Sequence, residues 1–380
     1  INSIYLRVKQ IVKWSKFMEK KIKLFSPDFD KNEELALINT LKSGFWASGS
    51  GSGKVQKFED LLSDYLKVKG CVAVNSGTSA LHLALSLIDL KGKDVILPSL
   101  SFVSTAHAVI YNGGNPVFAD IDPETLCIDP DLIEELITKK TKVVLPVHFA
   151  GQSCELSSII KSCKKYNLDL VEDAAHAMGT TYKNKKIGCH GTAVCFSFHP
   201  AKNLAMPTGG AITVNNNKWK KYEVDLKVKR WCGISDRKDT SYDVKELGWN
   251  YYMNEFSAAI GIEQLKKMDI LTKKRKENAK RFNKELHCEY KMSYNEECSY
   301  HFYWIRVKNR KKFMDDLKEN GIETGIHYKP IHTMSMYKKL KSKLPHTENV
   351  GKEIVSIPTH SDLKNDDVDR IISTINRFCN

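Results

Sequence analysis

Seven short apolar runs recur between residues 71 and 215, and most of them are continuous rather than alternating. A strand that is buried on both faces has a continuous apolar run, whereas a strand with one wet face alternates. Segments with helical spacing, such as SALHLALSLIDL and LIEELITK, separate several of the runs. The pattern predicts an α/β fold whose mostly parallel seven-stranded sheet is flanked by helices. The predicted strands are 71–76, 94–99, 115–120, 142–149, 168–173, 193–198 and 210–215.

The pattern changes after residue 255. FSAAIGIEQLKKMDILTKKRKENAKRFNKEL predicts one long helix or two consecutive helices. The remainder mixes a short strand, HFYWIRVK, with helices at KKFMDDLKEN and NDDVDRIISTINRF. We therefore expect an amino-terminal extension at 1–21, a large α/β domain at 22–255 and a smaller α+β domain at 256–380.

The composition is that of an ordinary globular protein, because 42% of the residues are hydrophobic and 27% are charged. No apolar run reaches the roughly 20 residues that a membrane-spanning helix needs, and the amino-terminal residues lack a signal-peptide pattern. We therefore expect a cytoplasmic protein without membrane contact. Ten cysteines are scattered without CxxC or Cys/His spacing, so reduced buried thiols are favoured over disulfides or a metal site.

The net charge of +14 raises the question of a nucleic-acid partner. Much of the excess lies in helical stretches such as KKMDILTKKRKENAKRFNKEL, where apolar positions face inward and charged positions face water. Basic and aromatic residues are not interleaved as in nucleic-acid-binding segments, so we expect no such partner. A positive field would still attract an anionic substrate such as a nucleotide diphosphate.

Polar and ionisable residues follow the predicted strands. Because the carboxyl ends of parallel strands meet at one edge, where open α/β sheets bind ligands, these residues indicate a site. They are the residues at 75–78, 98–99, 120, 148, 172–173 and 197–202.

The segment NSGTSALHLAL places a Gly-Thr-Ser turn directly before an apolar helix. Free N–H groups, the helix dipole and two hydroxyls can hold a phosphate. Ser and Thr are also ordinary helix-capping residues, so this segment alone leaves both interpretations open.

The segment LDLVEDAAHAMG places Asp173 at the end of a buried strand and His176 three residues later. A buried acid is costly unless a cation meets it, and a protonated pyridine nitrogen is one such partner. Glu172 competes for this role, but strand alternation directs it to the opposite face. A helix cap for Asp173 and a satisfied buried histidine for His176 are the structural alternatives.

The segment CFSFHPAKNLAMPTGG delivers Ser197 at a strand end and Lys202 in the following loop. A lysine is normally a solvated surface charge. Lys202 instead stands among apolar residues and turn signals at the edge of the sheet, where burial favours the neutral, nucleophilic amine.

Taken together, these segments resemble the DegT/DnrJ/EryC1/StrS family of sugar aminotransferases, which have the aspartate-aminotransferase-like fold. The resemblance runs from about residue 22 to residue 378 and includes LPSLSFVSTAHAVIYNGGNPVFADIDPETL, VVLPVHFAGQ, LGWNYYMNEFSAAIGIEQL and GIETGIHYKPIH. It implies an enzyme that binds pyridoxal 5'-phosphate. Lys202 would carry this cofactor as a Schiff base and then move a proton between the substrate and the cofactor, while Asp173 would pair with the pyridine nitrogen.

The resemblance also assigns contacts to other residues. His176 would lie near the cofactor's 3-hydroxyl, and Phe102 would stack on its ring. The phosphate would be held by Thr78, Ser79 and Ser197. Further contacts are implied for Asn250, which would reach the phosphate from the neighbouring subunit of a homodimer, and for His327 and Tyr328, which would lie near the substrate.

The implied reaction moves an amino group, with glutamate as donor, onto a nucleotide-linked keto-deoxysugar. The histidine in EDAAH resembles that of relatives acting at C4, which favours a 4-keto-6-deoxyhexose. Two positions depart from the family pattern. Thr208 and its neighbours replace an acidic residue before the paired glycines, and Tyr252 replaces an arginine.

A sugar dehydratase of the same fold is one alternative, but the cofactor-only type tends to replace the lysine with histidine. The iron–sulfur type needs a cysteine cluster that the spacing does not show. A non-catalytic regulatory protein is a second alternative, although it would not need Lys202, Asp173 and a phosphate site together.

Overall fold

The computed structural model describes residues 21–215, 219–340 and 342–379. The extension expected at 1–21 therefore lies almost entirely outside the described residues. No helix in the described ranges is both long and apolar enough to cross a membrane.

The central sheet confirms the predicted fold class. Its seven strands are β1 (Cys71–Val74), β2 (Asp94–Pro98), β3 (Asn115–Ala119), β4 (Thr141–Val144), β5 (Asp169–Asp173), β8 (Ala193–Ser197) and β9 (Gly210–Val214), in the order β1-β9-β8-β5-β4-β2-β3. The pairs from β8 through β5, β4 and β2 to β3 are parallel. β9 is antiparallel to both of its neighbours. The carboxyl ends of the other six strands therefore meet at one edge.

Both faces of the sheet are buried, which explains the continuous apolar runs. In β1, Val72 and Val74 belong to one core cluster, and Cys71 and Ala73 belong to the other. The first cluster lies under α3 (Gly77–Leu85), α4 (Ser104–Tyr111) and α7 (Trp219–Arg230). The second lies under α2 (Lys54–Leu66), α5 (Ile133–Leu136), α6 (Leu156–Tyr166) and α8 (Glu255–Lys266).

The carboxyl-terminal part has a smaller antiparallel sheet of β12 (Tyr290–Lys291), β13 (Tyr303–Arg306) and β14 (Ile354–Ile357). Its helices are α9 (Met268–Glu285), α10 (Arg310–Glu319), α11 (Pro345–Glu353) and α12 (Asn365–Phe378). The segment 256–286 therefore forms the two consecutive helices α8 and α9.

Two contacts run across the expected domain boundaries. α8 packs on α2 and on α1 (Lys31–Ser43) of the large domain. At the other end of the chain, Ile22 pairs with Ile322 through backbone hydrogen bonds to Gly321 and Glu323.

Two hairpins were not predicted. One consists of β6 (Thr181–Tyr182) and β7 (Lys185–Lys186), and the other consists of β10 (Ile234–Lys238) and β11 (Ser241–Val244). The second hairpin is largely exposed and polar, so no apolar run marks it.

The expectation that all the cysteines are reduced is wrong for two of them. Cys288 and Cys379 form a disulfide, although 91 positions separate them in the chain. The fold brings their Cα atoms to 5.6 Å, whereas the cysteine spacing in the sequence contains no information about this approach. The other eight cysteines are free thiols.

Candidate active site

A cavity of about 460 Å³ opens at the edge where the parallel strands end. The residues predicted from the sequence that line it are Thr78, Phe102, Asp173, His176, Ser197, Lys202, His327 and Tyr328. Ser79 and Asn250 lie outside the lining. The sheet edge and the segment at 325–328 therefore face each other across one cavity.

Lys202 is carried by the loop between β8 and β9. Hydrogen bonds from Phe198 N to Gly209 O and from Met206 N to Phe198 O close the base of this loop. The Lys202 Nζ lies 3.5 Å from Nε2 of His301. Burial lowers the pKa of Lys202 to about 8, although the Asp173 carboxylate opposes that change. Near neutral pH the neutral amine is therefore more abundant at Lys202 than at an ordinary lysine.

Asp173 ends β5 with its carboxylate in the cavity wall. Oδ2 accepts a hydrogen bond from Thr105 Oγ1 at 2.8 Å, and Oδ1 accepts one from Ala175 N at 3.1 Å. Burial raises the pKa of Asp173, while these two donors and the charge of Lys202 lower it. Both hydrogen-bond donors are uncharged groups, so a ligand cation here would be strongly stabilised.

Glu172 points to the opposite side of β5, as strand alternation predicts. Its carboxylate accepts hydrogen bonds from His148 Nε2 at 2.8 Å and from Gly191 N. The His148 Nδ1 accepts from Cys154 N at 3.1 Å, which places the imidazole proton on Nε2. Glu172 therefore has a structural role.

The turn before α3 forms one side of the cavity. Ser76 caps the helix in a reciprocal hydrogen-bonded box with Ser79, so the Ser79 hydroxyl is used inside the turn. Thr78 Oγ1 contacts Ser104 Oγ at 2.7 Å, beside the start of α4. A side chain at Gly77 would place its Cβ 2.7 Å from the Ser197 Cβ. Glycine therefore keeps the backbone of this turn close to Ser197, with the first N–H groups of α3 free of intrahelical partners.

His176 and Tyr328 form the wall beside Lys202. Ala150 N donates to His176 Nδ1 at 3.3 Å, so the proton is on Nε2, which lies 2.9 Å from the Tyr328 hydroxyl. Burial and the nearby Lys202 charge lower the pKa of His176 well below its ordinary value. Phe102 faces this pair, and 56% of its surface is exposed.

His327 continues this wall. Its Nδ1 lies 2.9 Å from Ser356 Oγ, and its ring stacks on Phe302 at 4.7 Å. Burial lowers the pKa of His327 to about 4, with a smaller contribution from Lys202, so the imidazole is neutral.

The remaining sequence candidates lie at the periphery. Asn250 is exposed, and its carbonyl accepts a hydrogen bond from Asn75 Nδ2 at 3.3 Å. Thr208 lines the cavity and donates to the Asn75 carbonyl, while Tyr252 lies outside the lining.

Several residues in the cavity lining were missed by the sequence reasoning. Ser104 and Thr105 follow Phe102 shortly after the carboxyl end of β2. Their position at this strand end is a signal that could have identified them. His199 lies within the segment 197–202 that the sequence places at this edge, although no role was predicted for it. Phe25 and His301 come from distant segments that carry no motif. Among the described residues, no three His, Cys, Asp or Glu side chains are grouped so that they could hold a metal ion.

Comparison with known proteins gives consistent relatives. The chain matches the DegT/DnrJ/EryC1/StrS aminotransferase family over residues 27–376. It is 35% identical over 371 residues to the spore coat polysaccharide biosynthesis protein SpsC of Bacillus subtilis, covering 92% of this chain and 95% of that protein.

Two solved structures extend the likeness to the fold. PseC of Helicobacter pylori, an aminotransferase involved in the biosynthesis of pseudoaminic acid, is 30% identical with a TM-score of 0.89, and the match covers 94% of this chain and 99% of PseC. Spr1654 of Streptococcus pneumoniae, in its pyridoxal-phosphate form, is 27% identical with a TM-score of 0.88, covering 94% and 98%.

Proposed function

Because the chain belongs to the DegT/DnrJ/EryC1/StrS aminotransferase family, we propose that it transfers an amino group from glutamate to a nucleotide-linked keto-deoxysugar, preferentially a 4-keto-6-deoxyhexose. That it is a sugar aminotransferase dependent on pyridoxal phosphate follows from the family and from the related structures. The observation that carries the residue assignment is that the buried Asp173 carboxylate and the half-buried Lys202 line the same cavity at the edge of the sheet.

The residues in the cavity fit this cofactor. Asp173 offers a buried carboxylate to a ring nitrogen, and its two uncharged donors leave room for a cationic partner. The exposed face of Phe102 suits a flat ring. The turn at Gly77 and Thr78, with Ser197 opposite, suits a phosphate at a helix N-terminus.

When bound, pyridoxal phosphate supplies an aldehyde that exchanges amines and a ring that withdraws electrons from the reacting carbon. Lys202 would bind the aldehyde through Nζ and, once released, would take up and return a proton at the same atom. Its lowered pKa suits both tasks, because the amine form is the nucleophile and the base. Asp173 would keep the ring nitrogen protonated, and His176, whose Nε2 lies 2.9 Å from the Tyr328 hydroxyl, would lie near the cofactor's 3-hydroxyl.

Two side chains of the cavity and the net charge of the chain support the proposed nucleotide-linked substrate. His327 and Tyr328 lie across the cavity from the sheet edge, where an acceptor substrate would approach Lys202. The net charge of +14 favours an anionic nucleotide diphosphate. Thr208 at the rim of the cavity is uncharged where relatives carry an acidic residue. The substrate would therefore meet a hydroxyl instead of a negative charge at this position.

We also propose a homodimer in which Asn250 reaches the phosphate of the neighbouring site. The Asn250 side chain is exposed on its own subunit. Leu35, Ile38 and Leu41 form an exposed apolar row on α1, and Trp46 extends it. Such a row on a monomer indicates a protein interface.

We also propose a cytoplasmic location, because the eight free cysteines suit a reducing compartment; the Cys288–Cys379 disulfide is the exception to this pattern. Fractionation of the source cells would check it.

Borohydride treatment of the cofactor-loaded protein tests the role of Lys202. We expect bleaching of the visible absorbance and a mass increase on the Lys202 peptide. Lys202→Ala should lose transamination and this labelling. Lys186→Ala is the matched control, because burial also lowers the pKa of Lys186, which lies outside the cavity. An unmodified Lys202 peptide after reduction would sink the assignment.

The substrate is tested by loading the enzyme with glutamate and adding nucleotide-linked keto-sugars one at a time. Return of the pyridoxal absorbance with a 4-keto-6-deoxyhexose is expected, whereas return only with 3-keto-sugars would refute the preferred position.

The shared site is tested by mixing Lys202→Ala with Asn250→Ala subunits. Each variant alone should be weak or inactive, and verified heterodimers should regain activity in one intact site. An absence of recovery would count against the contact between subunits.

A further inference from the structure

His301 is a buried histidine in the cavity wall to which the proposed chemistry assigns no role. It lies just before β13, and only 2% of its surface is exposed. Its Nε2 points to the Lys202 Nζ at 3.5 Å. This distance is at the outer limit of a hydrogen bond, and such contacts are often long in ligand-free sites and tighten in the working complex. Within the described ranges, its Nδ1 has no hydrogen-bond partner.

Contacts on several sides fix the His301 ring. Phe25 stacks on one side, with the ring centroids 5.3 Å apart and an interplanar angle of 17°. His176 packs on it at 4.7 Å with an angle of 31°. Arg275 Nη1 donates to the carbonyl of His301 at 3.2 Å and to that of Tyr300 at 3.3 Å. The imidazole therefore has little freedom to move away from Lys202.

The charges around His301 favour a neutral ring. The titratable groups that face it are Lys202, His176, Arg275 and His327, from four different segments. Burial and these groups lower the pKa of His301 well below its ordinary value. A neutral imidazole with a lone pair on Nε2 is an acceptor, so it can receive an N–H of Lys202.

We propose that His301 is the positioning residue for Lys202, accepting a hydrogen bond at Nε2 from Nζ whenever that nitrogen is not bonded to the cofactor. The inference rests on the proposed function, because it assumes that Lys202 alternates between a bonded and a free state. A long lysine side chain has many rotamers, and this acceptor would hold the free amine facing the cavity. A carboxylate in the same place would favour the ammonium form of Lys202. A neutral imidazole opposes loss of the ammonium proton much less.

Two substitutions separate the hydrogen bond from the packing of the ring. His301→Gln keeps an acceptor near the position of Nε2 but loses the aromatic stack. His301→Phe keeps a ring between Phe25 and His176 but loses the acceptor. His360→Gln is the matched control, because His360 is also a buried histidine with one unpartnered nitrogen, and it lies outside the cavity lining.

The measurement is the rate at which apoprotein attaches pyridoxal phosphate, followed by its visible absorbance across a range of pH. In this step Nζ bonds to the aldehyde carbon and one water leaves. The titratable side chains that line the cavity around Nζ are Asp173, His176, His199, His301, His327 and Tyr328. Because the acceptor stabilises the ammonium form slightly more than the amine, its loss should move the pH midpoint of attachment downward. His301→Phe should also lower the plateau rate at high pH by about tenfold, the effect of one hydrogen bond.

His301→Gln should retain most of the plateau rate and the wild-type midpoint, and His360→Gln should match the wild type. A wild-type dependence of the attachment rate on pH in His301→Phe would overturn the proposal, whether or not His301→Gln is impaired. Packing of the ring alone would then be enough to position Lys202.

A measurement on the unmutated protein covers the case in which both variants fail to fold. Exchange of the His301 ring C–H with deuterium, read by mass spectrometry against pH, reports its pKa in the apoprotein. Titration well below the ordinary range supports a neutral acceptor, whereas an ordinary pKa would refute it.

The outcomes also separate this inference from the proposed function. If borohydride leaves Lys202 unmodified in the wild type, the proposed function fails. If Lys202 is labelled but His301→Phe keeps the wild-type attachment profile, only the role of His301 fails.

Discussion

Thr105→Val removes the hydroxyl that donates to the Asp173 carboxylate and nearly preserves side-chain volume. Thr105 is fully buried, and its Oγ1 lies 2.8 Å from Asp173 Oδ2 and 2.7 Å from Ser101 Oγ. Asp173 would then retain the Ala175 N–H as its other donor. The variant therefore weakens one defined support of the ionised carboxylate while leaving the fold of the cavity in place.

The direction of the effect follows from protonation. Burial already raises the pKa of Asp173, and the Thr105 hydroxyl opposes this by stabilising the charged form. Removal of the hydroxyl raises the pKa of Asp173 further. If the cofactor needs ionised Asp173, binding must remove a proton at any pH below that pKa, and affinity falls. Above the pKa values of Asp173 in both proteins, the free and bound states are both ionised, so the affinities converge.

A hydrogen bond to a charged acceptor contributes about 1.5–3 kcal/mol. Because 1.4 kcal/mol is a factor of ten, the Val variant should bind pyridoxal phosphate roughly ten- to hundredfold more weakly at the acidic end of the range. The assay is the dissociation constant of the cofactor against pH, measured on apoprotein by fluorescence or absorbance. Thr105→Ser keeps the hydroxyl and is the matched control.

The result that refutes this reasoning is a ratio of the Val and Ser dissociation constants that stays constant with pH. Such a ratio would mean that Thr105 acts through packing rather than through the charge of Asp173. A ratio that grows as the pH rises would also contradict the sign derived above.

Two further predictions concern stability. Glu59→Gln removes the carboxylate charge whose Oε1 lies 2.5 Å from Arg230 Nη1 in the core. It should lower the free energy of unfolding, measured by denaturant titration, by about 3–5 kcal/mol. The control Glu223→Gln, at the more exposed pair with Lys227, should lower it by less than about 1 kcal/mol. Equal losses would refute the role of burial. Reduction of Cys288–Cys379, which spans 91 positions, should destabilise the protein by at most about 4–5 kcal/mol from loop-closure entropy. The measurement is the unfolding temperature with and without reductant. In the variant Cys379→Ser the reductant should no longer change this temperature. A change that persists in the variant would contradict the disulfide.

The sheet could be predicted because its strands are buried on both faces. β1, β2 and β8 appear in the sequence as uninterrupted apolar runs, and their bounds agree with the predicted ones to within a few residues. The direction of β9 could not be predicted from its own pattern. It is antiparallel because the loop at 198–209 turns the chain straight back, and a buried antiparallel strand has the same apolar composition as a parallel one.

The elements that were missed lack an apolar pattern of their own. β10 and β11 are largely exposed, so no apolar periodicity marks them. The Cys288–Cys379 disulfide depends on the packing of α12 beside α9, and cysteine spacing cannot report a tertiary approach. β14 consists of four buried residues between the helices α11 and α12, which gives too short a signal.

The residues that line the cavity also fall into a group that the sequence predicts and a group that it does not. Thr78, Asp173 and Lys202 follow strands whose order places them at one edge, so general rules about parallel sheets bring them together before any coordinates exist. Phe25 and His301 reach the cavity from segments that lie far apart in the chain. Phe25 follows a segment that pairs with residues 321–323, whereas His301 is held by the hydrogen bond from its backbone N to Ala150 O. The part of the site that the sequence predicts is therefore the part that a cofactor requires. The part that only the structure shows is the contribution of Phe25 and His301 to the wall beside Lys202.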